Sequence, residues 1–98
     1  MKVGIHPKAE AELVAAFEFY ESQVPSLGYD FLNEFEQGKV RVVENPDTWP
    51  LTRKGARRHL LHRFPFWLVY LRREDEIFVI AVAHTSRRPF YWQTRIGS

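Results

Sequence analysis

The residues of this chain best suited to chemistry lie in its second half. Near its end stand His84, Arg87, Arg88, Tyr91 and Arg95, with Arg53, Lys54, Arg57, Arg58 and Arg63 upstream. Metal-free cleavage of RNA needs a base for the 2′-hydroxyl, cations for the phosphate and an acid for the leaving oxygen. Histidine or tyrosine beside arginine can supply all three. Phe90, Tyr91 or Trp92, if exposed, could stack on bases. The structural alternative is that Phe90 and Trp92 latch over a sheet, as large aromatics usually pack, and that His84 caps a strand end.

Other chemistries lack their residues. There is no cysteine, hence no disulfide, thiol nucleophile or zinc–thiolate site. His59 and His62 are three apart on an expected strand, which points them to opposite faces, and His6 and His84 have no partner at metal-ligand spacing. Gly28, Gly38 and Gly55 are isolated, so no phosphate loop forms, and no serine sits in a Gly-x-Ser-x-Gly turn. The expectation is neither metal nor cofactor. Glu10, Glu12, Glu18 and Glu21 read as the wet face of a helix.

The elements that must position these residues follow from periodicity. Val3 and Ile5 alternate with small or polar neighbours, a short strand. Pro7 suits a first helical turn, and Ala9, Leu13, Ala16, Phe17, Tyr20 and Val24 form a stripe at helical spacing over Lys8 to Gln23. Pro25-Ser26-Leu27-Gly28 makes a tight link. A second helix runs from Tyr29 to Glu44, with Phe31, Phe35, Gly38 and Val42 on one seam and Asn45-Pro46 at its end. Gly38 predicts close approach to the first helix. Trp49 and Pro50 tack a polar connection to the core. Strands are expected over 57–64, 66–72 and 77–84, the last apolar on both faces and so central, and a helical turn over 90–95. The fold class is α+β, in the order β-α-α-β-β-β. A helix hairpin packs on a small twisted antiparallel sheet in a single domain, 1–96, with 97–98 a possible tag remnant.

Net charge is +2, but residues 1–50 carry −5 and residues 51–98 carry +7. Nine of the ten cations in the second half are arginine, whose planar fork suits phosphate or carboxylate. A solvated strand face is the plain alternative; an anionic partner, nucleic acid or acidic protein, is the functional one. The longest apolar run, Ile77–Ala83, is far short of the ~18–20 residues that span a bilayer. No signal peptide precedes His6-Pro7, so a cytoplasmic protein with no membrane partner is expected.

Several segments, taken in order, resemble one family over His6 to Arg95. They are Ala11-Glu12-Leu13 through Phe19-Tyr20-Glu21, Leu27-Gly28-Tyr29-Asp30-Phe31-Leu32, Asn45-Pro46, Arg57-Arg58-His59-Leu60-Leu61-His62-Arg63-Phe64-Pro65-Phe66 with Leu68-Val69-Tyr70, Ala81-Val82-Ala83-His84, and Arg88-Pro89-Phe90-Tyr91-Trp92. Together they resemble the RelE/ParE toxins of type II toxin–antitoxin systems, in the ParE-like plasmid-stabilisation branch. The resemblance implies a toxin neutralised by a cognate antitoxin, whose acidic tail an arginine-rich face would suit. It also implies one of two targets, DNA gyrase for ParE-like members or ribosome-bound mRNA for RelE-like ones. RelE-type ribonucleases commonly carry an aromatic-Arg-x-x-Tyr stretch where this chain has Phe66-Trp67-Leu68-Val69-Tyr70, so Trp67 replaces the arginine. A second family arginine falls on Thr85, while Tyr91 is retained. The incomplete set favours gyrase inhibition, with Arg53, Lys54, Arg57, Arg58, Arg63, Arg87 and Arg95 as nucleic-acid- or target-binding residues. The alternatives are a metal-independent, ribosome-dependent endoribonuclease using His84, Arg88 and Tyr91, and a non-toxic binding module of the same fold.

Overall fold

Pro7 begins the first helix as expected, and His6 caps it: the imidazole Nδ1 accepts the Lys8 N–H at 3.0 Å. The computed structural model describes residues 1–52 and 54–97. Its elements are β1 (Lys2–Ile5), α1 (Pro7–Gln23), α2 (Leu27–Glu44), β2 (Arg57–Leu60), β3 (Phe66–Arg73) and β4 (Glu76–His84), then a 3-10 turn at Gln93–Arg95. The link between the helices is held by Glu21, whose carboxylate accepts the Ser26 and Gly28 N–H groups at 2.9 Å each. Gly28 is what lets the helices touch. A Cβ there would lie 2.6 Å from the Phe17 carbonyl oxygen. Gly38, expected to face α1, instead meets Leu61 and Leu68 on the sheet side.

The sheet order is β1-β4-β3-β2. β2, β3 and β4 are antiparallel neighbours, but β1 runs parallel to β4, so the sheet is mixed. A parallel pair needs a crossover, and here the helix hairpin is part of it. β2 stops at Leu60, short of the expected 64, because Leu61 and Phe64 turn into the core around Pro65.

Both faces of β3 and β4 are covered, as the apolar run in β4 requires. Phe66, Leu68 and Tyr70 of β3, with Ile77, Val79 and Val82 of β4, meet Phe31, Phe35 and Val42 of α2 and Ala9 and Ala16 of α1. On the far face, Val69, Ile80, Ala81 and Ala83 pack under Ala56 and Trp92. The change from odd to even numbering on the helix side comes from a β-bulge. Val69 pairs with Ala81 and Tyr70 with Val79, so Ile80 is the extra residue. Trp92 is thus a latch on the second face, 4% exposed.

Candidate binding site at the end of the sheet

β1 is short, and its pairing with β4 ends at Ile5 and Val79. Beyond that point β4 would present unpaired backbone groups, which are costly when buried. Side chains take them up. Glu12 accepts the Val82 N–H at 3.0 Å, and Arg95 donates to the Ile80 carbonyl at 2.9 Å. Arg95 and Glu12 also bind each other through two hydrogen bonds, at 2.8 and 3.1 Å, a bidentate pair. The Tyr91 hydroxyl donates to the same carboxylate at 2.6 Å. Burial opposes the charge on Glu12, yet the bonds from Arg95, Tyr91 and Val82 outweigh it and hold the carboxyl below its ordinary range. Burial, followed by the bond to Glu12, pushes the Tyr91 phenol far up.

Above this buried pair lies a small cavity of about 90 Å³, rimmed by Arg58, Arg87, Arg88 and His84 and backed by Trp67 and Tyr91. Two of its guanidiniums lie over aromatic rings: Arg58 is 4.1 Å from the Trp67 centroid and Arg87 is 3.9 Å from that of Tyr91. His84 Nδ1 accepts the Ser86 N–H at 3.0 Å and contacts Ser86 Oγ at 2.7 Å. In the neutral tautomer these bonds assign, Nε2 carries the proton, so the ring offers a donor rather than a base.

The residues expected to act together thus fall into groups. His84, Arg87, Arg88, Tyr91 and Arg58 converge on this cavity. Arg95 does not reach a surface. It is 9% exposed, because the bare edge of β4 and Glu12 draw it inward. Arg57 is drawn to the 47–49 segment, donating to the Asp47 and Trp49 carbonyls. Arg63 pairs with Asp30, and Lys54 is exposed in a turn, both apart from the cavity. Arg53 lies outside the described residues. Among the described residues, no group of three or more histidine, aspartate or glutamate side chains could hold a metal, and no helix is long and apolar enough to cross a membrane.

Two acids are drawn away from solvent, the first being Glu12, expected on a wet helix face and partly buried instead. Glu34 is the second. It accepts from Arg41 at 3.0 Å and from the His62 N–H at 2.7 Å, while Arg41 donates to Nε2 of buried His59 at 3.0 Å. This cluster joins α2 to the end of β2. A signal for both acids exists in hindsight. Glu12 follows Ala9 by three and precedes Ala16 by four, and Glu34 stands likewise between Phe31 and Gly38, so each sits on an apolar helical seam.

Residues 3–89 match the family model described as the ParE toxin of the type II toxin-antitoxin system, parDE, and the chain belongs to that family. Among solved structures it is similar to a chain of a chromosomal ParDE TA system from P. aeruginosa. The identity is 20%, the match covers 88% of this chain and 97% of that one, and the TM-score is 0.76, a likeness of fold. No curated protein matches.

Proposed function

We propose that this ParE-family chain is held inactive by a cognate antitoxin in the cytoplasm and that, when free, it inhibits DNA gyrase without breaking a bond in nucleic acid. The observation that carries this reading is the commitment of its would-be catalytic groups. The Tyr91 phenol is a donor to Glu12, and His84 Nδ1 is taken by the Ser86 N–H. Neither is poised to remove a 2′-hydroxyl proton. Recognition then falls to the cations, Arg58, Arg87 and Arg88 at the cavity, with Lys54 and Arg63 apart from it. The test is a supercoiling assay with purified gyrase, alongside pulse labelling of DNA and protein after induction in a bacterium. Early loss of DNA synthesis with translation intact is expected. Early loss of translation with gyrase untouched would overturn the proposal.

One observation favours the ribonuclease alternative: His84, Arg87, Arg88 and Tyr91 share a single cavity. On that reading Tyr91→Ala or His84→Ala abolishes toxicity in a folded protein. Harmless expression without any antitoxin would leave only a binding module.

A further inference from the structure

A second, larger hollow of about 360 Å³ runs beside the arginine-rimmed cavity, between α1 and the ends of β3 and β4. Its lining is mostly apolar, from Ala15, Ala16, Phe19, Tyr20, Phe66 and Val82. The Phe19 ring, 58% exposed, continues this apolar lining onto the open surface. His84 and Arg87 line both hollows, so the two are adjacent.

We propose that the two hollows form one bipartite peptide site: an aspartate or glutamate of the partner enters between Arg58, Arg87 and Arg88, and a bulky apolar side chain close to it in sequence fills the trough along α1. The identity of the occupant as a segment of the antitoxin rests on the functional reading above; the chemistry of the site does not.

Charge complementarity selects the acid. Among the described residues no carboxylate lies within ion-pair distance of Arg58 or Arg88. Among the same residues, the carboxylate that Arg87 reaches is that of Glu12, at 3.9 Å, already shared by Arg95, Tyr91 and the Val82 N–H. The rim therefore carries unneutralised cations. Stacking on Trp67 and Tyr91 holds two guanidinium planes in place, which reduces the ordering cost of a forked bond to a carboxylate. A cavity of about 90 Å³ has room for a carboxylate between the guanidiniums.

The neighbouring hollow selects a peptide over a nucleic acid. A polyanionic backbone leaving the arginines would run along an apolar trough that also contains the Glu12 side chain. A peptide with one acid beside one apolar anchor meets attraction in the first hollow and burial in the second. The segment cannot join the sheet there as a strand through Ile80 and Val82, because Arg95 and Glu12 already occupy that carbonyl and N–H. Recognition is by side chains.

The test is selection of displayed random peptides on the purified chain, with counter-selection on the Arg58→Gln/Arg88→Gln variant. Both arginines are exposed, so the variant keeps the fold, which its melting temperature verifies. Enriched peptides should pair an acid with Phe, Leu, Met or Trp within about one helical turn. A synthetic copy of the best peptide with its acid changed to the amide should bind about tenfold more weakly, as loss of a charge-assisted bond predicts. Arg88→Gln should weaken the acidic peptide and leave the amide peptide unchanged. Ala15→Trp, on the exposed rim of the trough, should weaken both. No enrichment, acid-free winners or equal binding of acid and amide would overturn the site, as would competition by inorganic phosphate or poly-uridine with the acid irrelevant. Gyrase is absent from these measurements, so failure of the target reading in the supercoiling assay leaves their outcome untouched, and the reverse holds.

Discussion

The Tyr91 hydroxyl and the Glu12 carboxylate are joined by a 2.6 Å hydrogen bond across 79 residues of chain. With Arg95 on the same carboxylate, this bond fastens the C-terminal turn to the first helix. It makes Tyr91 a structural donor before it can be anything else. Tyr91→Phe should cost about 1.5–3 kcal/mol of stability, the range for a hydrogen bond to a charged group. Under the gyrase reading the variant remains toxic at a temperature where it is folded. Growth after induction, with the folded fraction followed by circular dichroism, measures both.

Glu12→Ala should be worse. It takes the bidentate carboxylate from the Arg95 guanidinium, 10% exposed, and the side-chain acceptor from the Val82 N–H. Breaking one side of a buried pair costs about 3–5 kcal/mol. Urea unfolding of Glu12→Ala, Arg95→Met and the double variant would show strong coupling, the double variant losing much less than the sum of the two singles. Simple additivity would mean that the pair contributes nothing as a pair.

The helices, β3 and β4 were legible because their apolar periodicities are strong. The parallel placement of β1 was not, since four residues, Lys2–Ile5, carry no record of which strand they join. The bulge at Ile80 escaped for a related reason: where every residue from Ile77 to Ala83 is apolar, a shift of phase leaves no mark. The convergence of His84, Arg88 and Tyr91 followed from their closeness in sequence. The fate of Arg95 depended on a glutamate far upstream, which local spacing does not reveal.

Stability should fall with pH in two separate windows. Burial, reinforced by the charges of Arg41 and His62, lowers the His59 pKa to about 4 from an ordinary 6.5. The depressed folded pKa means that the unfolded chain binds the proton first. The contribution is complete above 6.5 and is lost as pH falls toward 4, by at most about 1.4 kcal/mol per pH unit. Glu12 and Glu34, held below their ordinary 4.5, add a second loss at lower pH, as each is protonated. Urea midpoints at about pH 7, 6 and 5 test the first window, with His59→Gln expected to flatten the slope there.

The two helix glycines should respond differently to alanine. At Gly28 the new Cβ meets backbone, the Phe17 carbonyl at 2.6 Å, so the hairpin must open. A cost of about 1–3 kcal/mol is expected for such overpacking. At Gly38 it meets the tip of Leu61 at 2.9 Å, which can move, and a gain of about 1 kcal/mol in helix propensity offsets the crowding. Thermal melts should show a clear drop for Gly28→Ala and little change for Gly38→Ala.

The pairing of β1 with β4, and of Glu12 with Tyr91 and Arg95, sets a timetable for synthesis. The first strand and first helix leave the ribosome long before the residues that complete them. A nascent chain halted at Arg73 carries the sequence of both helices but neither the central strand nor most of the residues that line the arginine-rimmed cavity. Contacts so distant in sequence form late. A binder that recognises the cavity therefore meets only chains whose translation has passed residue 95.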